Sequence, residues 1–165
     1  ADMDTIATPL DWLGVNYYTR ALYAADPTRP WPRYRTVDGP LPKTAMGWEI
    51  RPEGLREFLL RLAQGPARGL PIYVTENGMA GDDAVQDGAV HDPLRQGFID
   101  SHLDAARAAI AEGVDLRGFF YWSLLDNYEW AFGYDKRFGL VHVDYATQAR
   151  TPKASYHALA HALSR

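Results

Sequence analysis

Cysteine is absent from the 165 residues. That excludes disulfides and thiolate metal sites and fits a reducing compartment, so the cytoplasm is the expected location. The five histidines, His91, His102, His142, His157 and His161, lack metal-ligand spacing and are expected to be structural or exposed. No excess of basic charge exists: 17 Lys and Arg stand against 21 Asp and Glu, a net charge of −4, which leaves no electrostatic footprint for nucleic acid. No apolar run is long enough to span a membrane, and no short repeat, low-complexity tract or secretory leader is evident. Neither a metal nor an organic cofactor is implied.

Aromatic residues, by contrast, are abundant. They form 13% of the chain, with 5 Trp and 10 Tyr, and many fall in predicted loops. Packing is one explanation. A sugar site is another, because the C–H faces of a pyranose stack on aromatic rings and its hydroxyls need dense hydrogen-bonding neighbours.

Strand and helix patterns alternate three times. An apolar strand is expected over residues 12–18, followed by a long irregular stretch rich in proline (Pro27, Pro30, Pro32, Pro40, Pro42). A helix over 52–63 places Leu55, Phe58, Leu59 and Leu62 on one face, with Pro52 in its first turn and Gly65 as its stop. The second strand, 72–76, ends at the turn pair Asn77-Gly78. Its helix, 93–112, has Asp92 as N-cap, Gly113 as terminator, and Ile99, Leu103, Ala106 and Ile110 as its buried stripe. The third strand, 116–122, is a nearly continuous apolar run suited to burial on both faces. A short two-stranded element is expected at 140–144, and Thr151 caps a last helix with Pro152 in its first turn.

Three βα units imply an α/β fold with a parallel sheet. In barrels of this kind the chemistry sits at the C-terminal strand ends. The three loops leaving those ends, 19–51, 77–91 and 123–151, are long, as functional loops are. A closed barrel needs eight strands, however, and three leave open edges and an uncovered interior. The chain is therefore expected to be part of a larger folding unit.

The segment Pro71-Ile72-Tyr73-Val74-Thr75-Glu76-Asn77-Gly78 sets a carboxylate at the end of a buried strand, as a glycosidase nucleophile requires. Alone, it is equally a strand followed by a turn. Further segments change that weighing. They are Leu13-Gly14-Val15-Asn16-Tyr17-Tyr18, Gly47-Trp48-Glu49-Ile50-Arg51-Pro52-Glu53-Gly54-Leu55, Phe119-Phe120-Tyr121-Trp122-Ser123-Leu124-Leu125-Asp126-Asn127-Tyr128-Glu129-Trp130, Gly133-Tyr134, Arg137-Phe138-Gly139-Leu140 and Val143-Asp144-Tyr145. In this order, over essentially the whole chain, they resemble glycoside hydrolase family 1.

The resemblance implies strands six to eight of a (β/α)8 TIM barrel, with residues 1–165 as the C-terminal segment of a single catalytic domain that begins just before the sixth strand. It implies a retaining β-glucosidase that hydrolyses terminal β-D-glucosyl residues, with fucosides or galactosides as further substrates. Glu76 would be the nucleophile and Tyr18 the hydroxyl bonded to it. Asn16 would line the site, Trp122 would lie under the glycone ring, and the Trp122–Ser123 peptide would be cis. Glu129 would accept the outer sugar hydroxyls, Trp130 would donate its indole N–H, Trp48 would wall the aglycone side and Phe138 would pack near the glycone. Apart from the resemblance, Trp122 is equally a core residue, Tyr18 a core hydroxyl and Glu129 a solvated acid.

The family's acid/base comes from an Asn-Glu-Pro segment on an earlier strand, and no such tripeptide occurs here. Asp126 and Asp135 have no motif support as substitutes. The expected partner is an N-terminal fragment of the same barrel, present as a second chain that supplies the acid. The alternatives are an inactive truncated barrel with residual sugar binding and a partner-binding α/β domain.

Overall fold

The computed structural model describes residues 1–164. A short N-terminal helix, α1 (Asp2–Ile6), leads into β1 (Leu13–Asn16), and the hairpin β2 (Leu22–Ala25) and β3 (Tyr34–Val37) follows. Next come α2 (Pro52–Gln64), β4 (Ile72–Asn77), α3 (Pro93–Ala111) and β5 (Leu116–Tyr121). A 3-10 turn (Trp130–Phe132), β6 (Val141–Val143), β7 (Arg150–Pro152) and α4 (Ala154–Leu163) complete the chain.

The strands β1, β4 and β5 form a parallel sheet with β4 in the centre. Val15 stands opposite Val74, and Val74 opposite Phe119. Side chains alternate across a strand, so Ile72 and Val74 point to one face and Tyr73 and Thr75 to the other. The first face carries the core: Val15, Ile72 and Val74 pack against Leu55 and Leu59 of α2 and Ala109 of α3. A buried Val or Leu contributes about 1.5–3 kcal/mol, which is why these crossover helices stay on the sheet.

The other face is open. Trp12 is 51% and Phe120 58% exposed, and with Tyr73, Thr75, Tyr121 and Trp122 they line an apolar hollow of about 520 Å³. This corrects the expectation that the third strand is buried on both sides: among the described residues no element covers that face.

Other boundaries also differ. Phe58 (41% exposed) and Ile110 (49% exposed) are not buried with the rest of their stripes. Within the proline-rich stretch, β2 and β3 pair antiparallel, and the diagonal Tyr23 and Tyr34 rings meet edge to face at 4.7 Å. Thr151 and Pro152 belong to β7, which pairs with β6 through Val141–Pro152 and Val143–Arg150. The last helix starts only at Ala154, with Lys153 in the cap position. Asp92 occupies the N-cap of α3, but its carboxylate does not cap the helix; it binds Arg95 and Ser155 instead. Among the described residues no helix is long and apolar enough to cross a membrane, and no group of three or more His, Asp or Glu is placed to hold a metal.

Candidate active site

Glu76 lies one residue before the end of β4, and its backbone is held from both sides. The Tyr17 N–H donates to the Glu76 carbonyl (2.9 Å), and the Trp122 N–H donates to the Asn77 carbonyl (2.9 Å). Fully buried Asn77 donates its Nδ2–H to the Tyr17 carbonyl (2.7 Å). A side chain at Gly78 would strike the Trp122 carbonyl, so glycine permits the backbone after Glu76 to lie against the end of β5. The Trp122–Ser123 peptide is cis.

Consecutive tyrosines at the end of β1 go to opposite sides. Tyr17 is buried on the helical side and donates to the Arg51 carbonyl (2.7 Å). Tyr18 turns to the cleft and donates its hydroxyl to Glu76 Oε2 (2.6 Å). Burial raises the Tyr18 pKa first, and the bond to Glu76 and its charge raise it further. The phenol therefore remains a protonated donor across the physiological range.

The Tyr18 ring belongs to an aromatic wall. It meets Trp48 edge to face at 5.5 Å and Phe138 at 6.3 Å, while Trp48 and Phe138 are 6.1 Å apart. Phe138 is buried and backs the wall. The Trp48 segment is fastened by Glu49, whose carboxylate accepts from Arg20 Nε (2.6 Å) and the Leu41 N–H (2.8 Å). These two bonds hold the Glu49 carboxyl below the usual range.

Across the opening, the loop after β5 supplies Trp122, Glu129 and Trp130. With Tyr18, Trp48, Glu76 and Phe138 they line one cleft of about 700 Å³. Glu129 feels Glu76: burial raises its carboxyl pKa first, and the Glu76 charge adds to the rise. Trp130 is 82% exposed.

The cleft thus collects every expected site residue except Asn16. Asn16 Oδ1 accepts from Thr75 Oγ1 of β4 (2.6 Å), the residue before Glu76, and with Tyr18 it borders an adjoining groove lined also by Arg51 and Phe58. Two further residues, Asn127 and Tyr128, line the cleft. They sit inside the same sequence segment as Glu129, which was the available signal for them. Asp126 and Asp135 do not line it; Asp126 is buried against Arg137 and Lys153. The apolar hollow on the open sheet face contains no carboxylate among its lining residues, whereas the cleft is lined by Glu76 and Glu129. A carboxylate held by a phenol, facing aromatic planes and a second acid, suits reaction at a sugar carbon.

Comparison with known proteins identifies the family of the chain. The family model described as Glycosyl hydrolase family 1 matches residues 1–163. Over 155 residues the chain is 49% identical to Beta-glucosidase A of Thermotoga maritima, covering 93% of this chain and 34% of that protein. Over 172 residues it is 44% identical to a bifunctional beta-D-glucosidase/beta-D-fucosidase of Bifidobacterium breve, covering 94% of this chain and 37% of that protein. The solved family 1 β-glucosidase from Thermotoga maritima superposes with a TM-score of 0.94 at 45% identity, covering 99% of this chain and 36% of that one. The chain spans about a third of the length of the relatives it matches, and its parallel sheet with flanking helices is a fragment of their TIM barrel. It belongs to glycosyl hydrolase family 1 and matches the C-terminal part of such an enzyme.

Proposed function

We propose that this chain forms strands six to eight of a (β/α)8 barrel, residues 1–165 being the C-terminal segment of its single catalytic domain. In that barrel it supplies the nucleophile of a retaining β-glucosidase. The observation that carries the reading is the 2.6 Å bond from the Tyr18 hydroxyl to Glu76 Oε2, at a strand end inside an aromatic cleft.

Glu76 attacks the anomeric carbon of a β-glucoside, and the bond to the aglycone oxygen breaks as an acid protonates that oxygen. A glycosyl-enzyme ester forms. The deprotonated acid then activates water, which attacks the same carbon and releases Glu76 as a carboxylate. Two carboxyl groups about 5–5.5 Å apart perform this double displacement. The Tyr18 donor orients the attacking oxygen and stabilises the carboxylate when it departs. Trp122 stacks under the glycone ring, Glu129 accepts the outer hydroxyls with Trp130 donating beside it, and Trp48 walls the aglycone side. The printed activities of the relatives, β-glucosidase, β-D-glucosidase/β-D-fucosidase and β-galactosidase, support β-linked glucosides as substrates, with fucosides and galactosides as further ones.

Among the described residues, Glu76 and Glu129 are the carboxylates lining the cleft. Glu129 is assigned to the outer hydroxyls, away from the glycosidic oxygen. The acid/base therefore comes from the N-terminal segment of the barrel, a partner that closes on the open sheet face. Exposed Trp12 and Phe120 make that face apolar, as in an obligate interface. By itself the chain binds sugar weakly and does not turn over.

Native mass spectrometry of the purified material, beside its denatured mass, tests the partner. Incubation of the complete barrel with a 2-deoxy-2-fluoro-β-glucoside tests the site, because the fluorine slows release of the glycosyl-enzyme. The expected adduct maps to the peptide containing Glu76 and is absent in Glu76→Gln. Robust turnover by the isolated chain, or an adduct elsewhere, refutes the proposal.

A further inference from the structure

Residues 123–143 leave β5, present Glu129 and Trp130 to the cleft and return as β6. The two ends of this loop meet at Asp126. Its buried carboxylate accepts from the Gly139 N–H (2.9 Å) and the Val143 N–H (3.2 Å), and its own N–H donates to the Val141 carbonyl (3.0 Å). Three residues further on, the Glu129 N–H closes a turn on the Gly133 carbonyl (2.7 Å). A carboxylate so deeply placed persists only if it is matched by charge and hydrogen bonds. Arg137 Nη1 lies 2.7 Å from Asp126 Oδ2, and Lys153 Nζ lies 3.0 Å from Oδ1.

Lys153 comes from outside the loop. Its side chain is fully buried, and its ammonium also binds Asp83, on the loop that follows Glu76. Arg95 of α3, equally buried, binds the same Asp83 and Asp92 and donates to the Met79 carbonyl. The three cations and three carboxylates of this cluster balance. Because apolar packing would stabilise such a site at least as well, the cluster is better explained by direction than by stability: it fixes two loops relative to each other.

We infer that Asp126 and Lys153 are positioning residues for the glycone end of the site. They pin the neck of the 123–143 loop to the loop after β4, so that Glu129 stands at a set separation from Glu76. This rests on the reading of Glu129 as the acceptor for outer sugar hydroxyls.

The test is a double-mutant cycle in the complete barrel, with kcat/KM expressed per site titrated by the fluoroglucoside. Lys153→Met lowers kcat/KM for an aryl β-glucoside by about tenfold or more, the scale of a lost charged hydrogen bond. In a Glu129→Ala background the same substitution has less than about a twofold effect, because its target is gone. Equal losses in both backgrounds overturn the inference and leave a merely structural role. Should Lys153→Met yield no folded protein, Arg137→Gln, at the partly exposed edge of the cluster, carries the same cycle. A wild-type barrel that is neither titrated nor active overturns the reading of Glu76, and the inference with it. Titration without background dependence overturns the inference alone.

Discussion

Replacing Tyr18 by Phe removes one oxygen from the site and keeps the ring. The lost hydroxyl donates to Glu76 Oε2 at 2.6 Å, while the ring contacts to Trp48 at 5.5 Å and Phe138 at 6.3 Å survive. A hydrogen bond to a charged group contributes about 1.5–3 kcal/mol, equivalent to about 10- to 150-fold in rate. In the proposed double displacement that bond is weakest in the glycosyl ester and strengthens as Glu76 departs during hydrolysis of the intermediate. In attack, loss of orientation and loss of ground-state stabilisation partly offset each other. The expected result for Tyr18→Phe, assayed in the complete barrel with a dinitrophenyl β-glucoside, is a fall in kcat of about 10- to 150-fold. KM falls with it, and a glycosyl-enzyme accumulates in the intact-protein mass spectrum. A kcat within about twofold of wild type, or a large fall with no accumulated intermediate, refutes the reasoning.

Glu129→Gln separates binding from stability. Burial and the Glu76 charge raise the Glu129 carboxyl pKa in the folded protein, so ionisation costs stability. The cost is absent below the unfolded carboxylate pKa, sets in as pH rises through the unfolded and folded values, and is complete above the folded one. The variant is therefore expected to have a higher Tm than wild type at neutral pH and no advantage in acid, while its kcat/KM for glucosides falls about tenfold; a lower Tm at neutral pH sinks the electrostatic account. His102, fully buried, works in the acid range. Burial pushes its imidazole down to about 4 from 6.5, so its contribution is fully present above about 6.5 and is lost as pH falls towards about 4. The whole shift corresponds to an order of 3 kcal/mol. Denaturant melts should show a shallower loss of stability over that window in His102→Gln, and an unchanged slope would contradict a neutral buried ring.

The elements legible in the sequence are those whose pattern is local. Ile72 and Val74 alternate with Tyr73 and Thr75, and Leu55 and Leu59 recur at helical spacing, so β4 and α2 follow from periodicity alone. The stripes were read too wide at Phe58 and Ile110, both exposed. Phe58 borders a groove lined also by Asn16 and Tyr18. The pairing of β2 with β3 was hidden because all four residues of Tyr34–Val37 are exposed, which leaves no buried face to create an alternation. Asn16, two residues before Tyr18, accepts from Thr75 beside Glu76. The pairing register slips between Val15 and Asn16, an irregularity that nothing in the sequence marks.

The C-terminal region shows what long-range contacts can overrule. Thr151-Pro152 carries a standard helix-start signal, yet both residues pair with β6 and the helix begins later. Nothing in the sequence around Lys153 marks it as buried. Its partners Asp83 and Asp126 lie 70 and 27 residues away in the chain, so neither periodicity nor spacing could reveal that its ammonium is buried. Asp126 has no motif support as an acid, and its geometry, which ties the neck of the 123–143 loop, has no signal in the sequence. The motif segments reveal the groups that line the cleft, since their order survives in the linear sequence. Groups that hold such segments in place are found only where the fold brings opposite charges together.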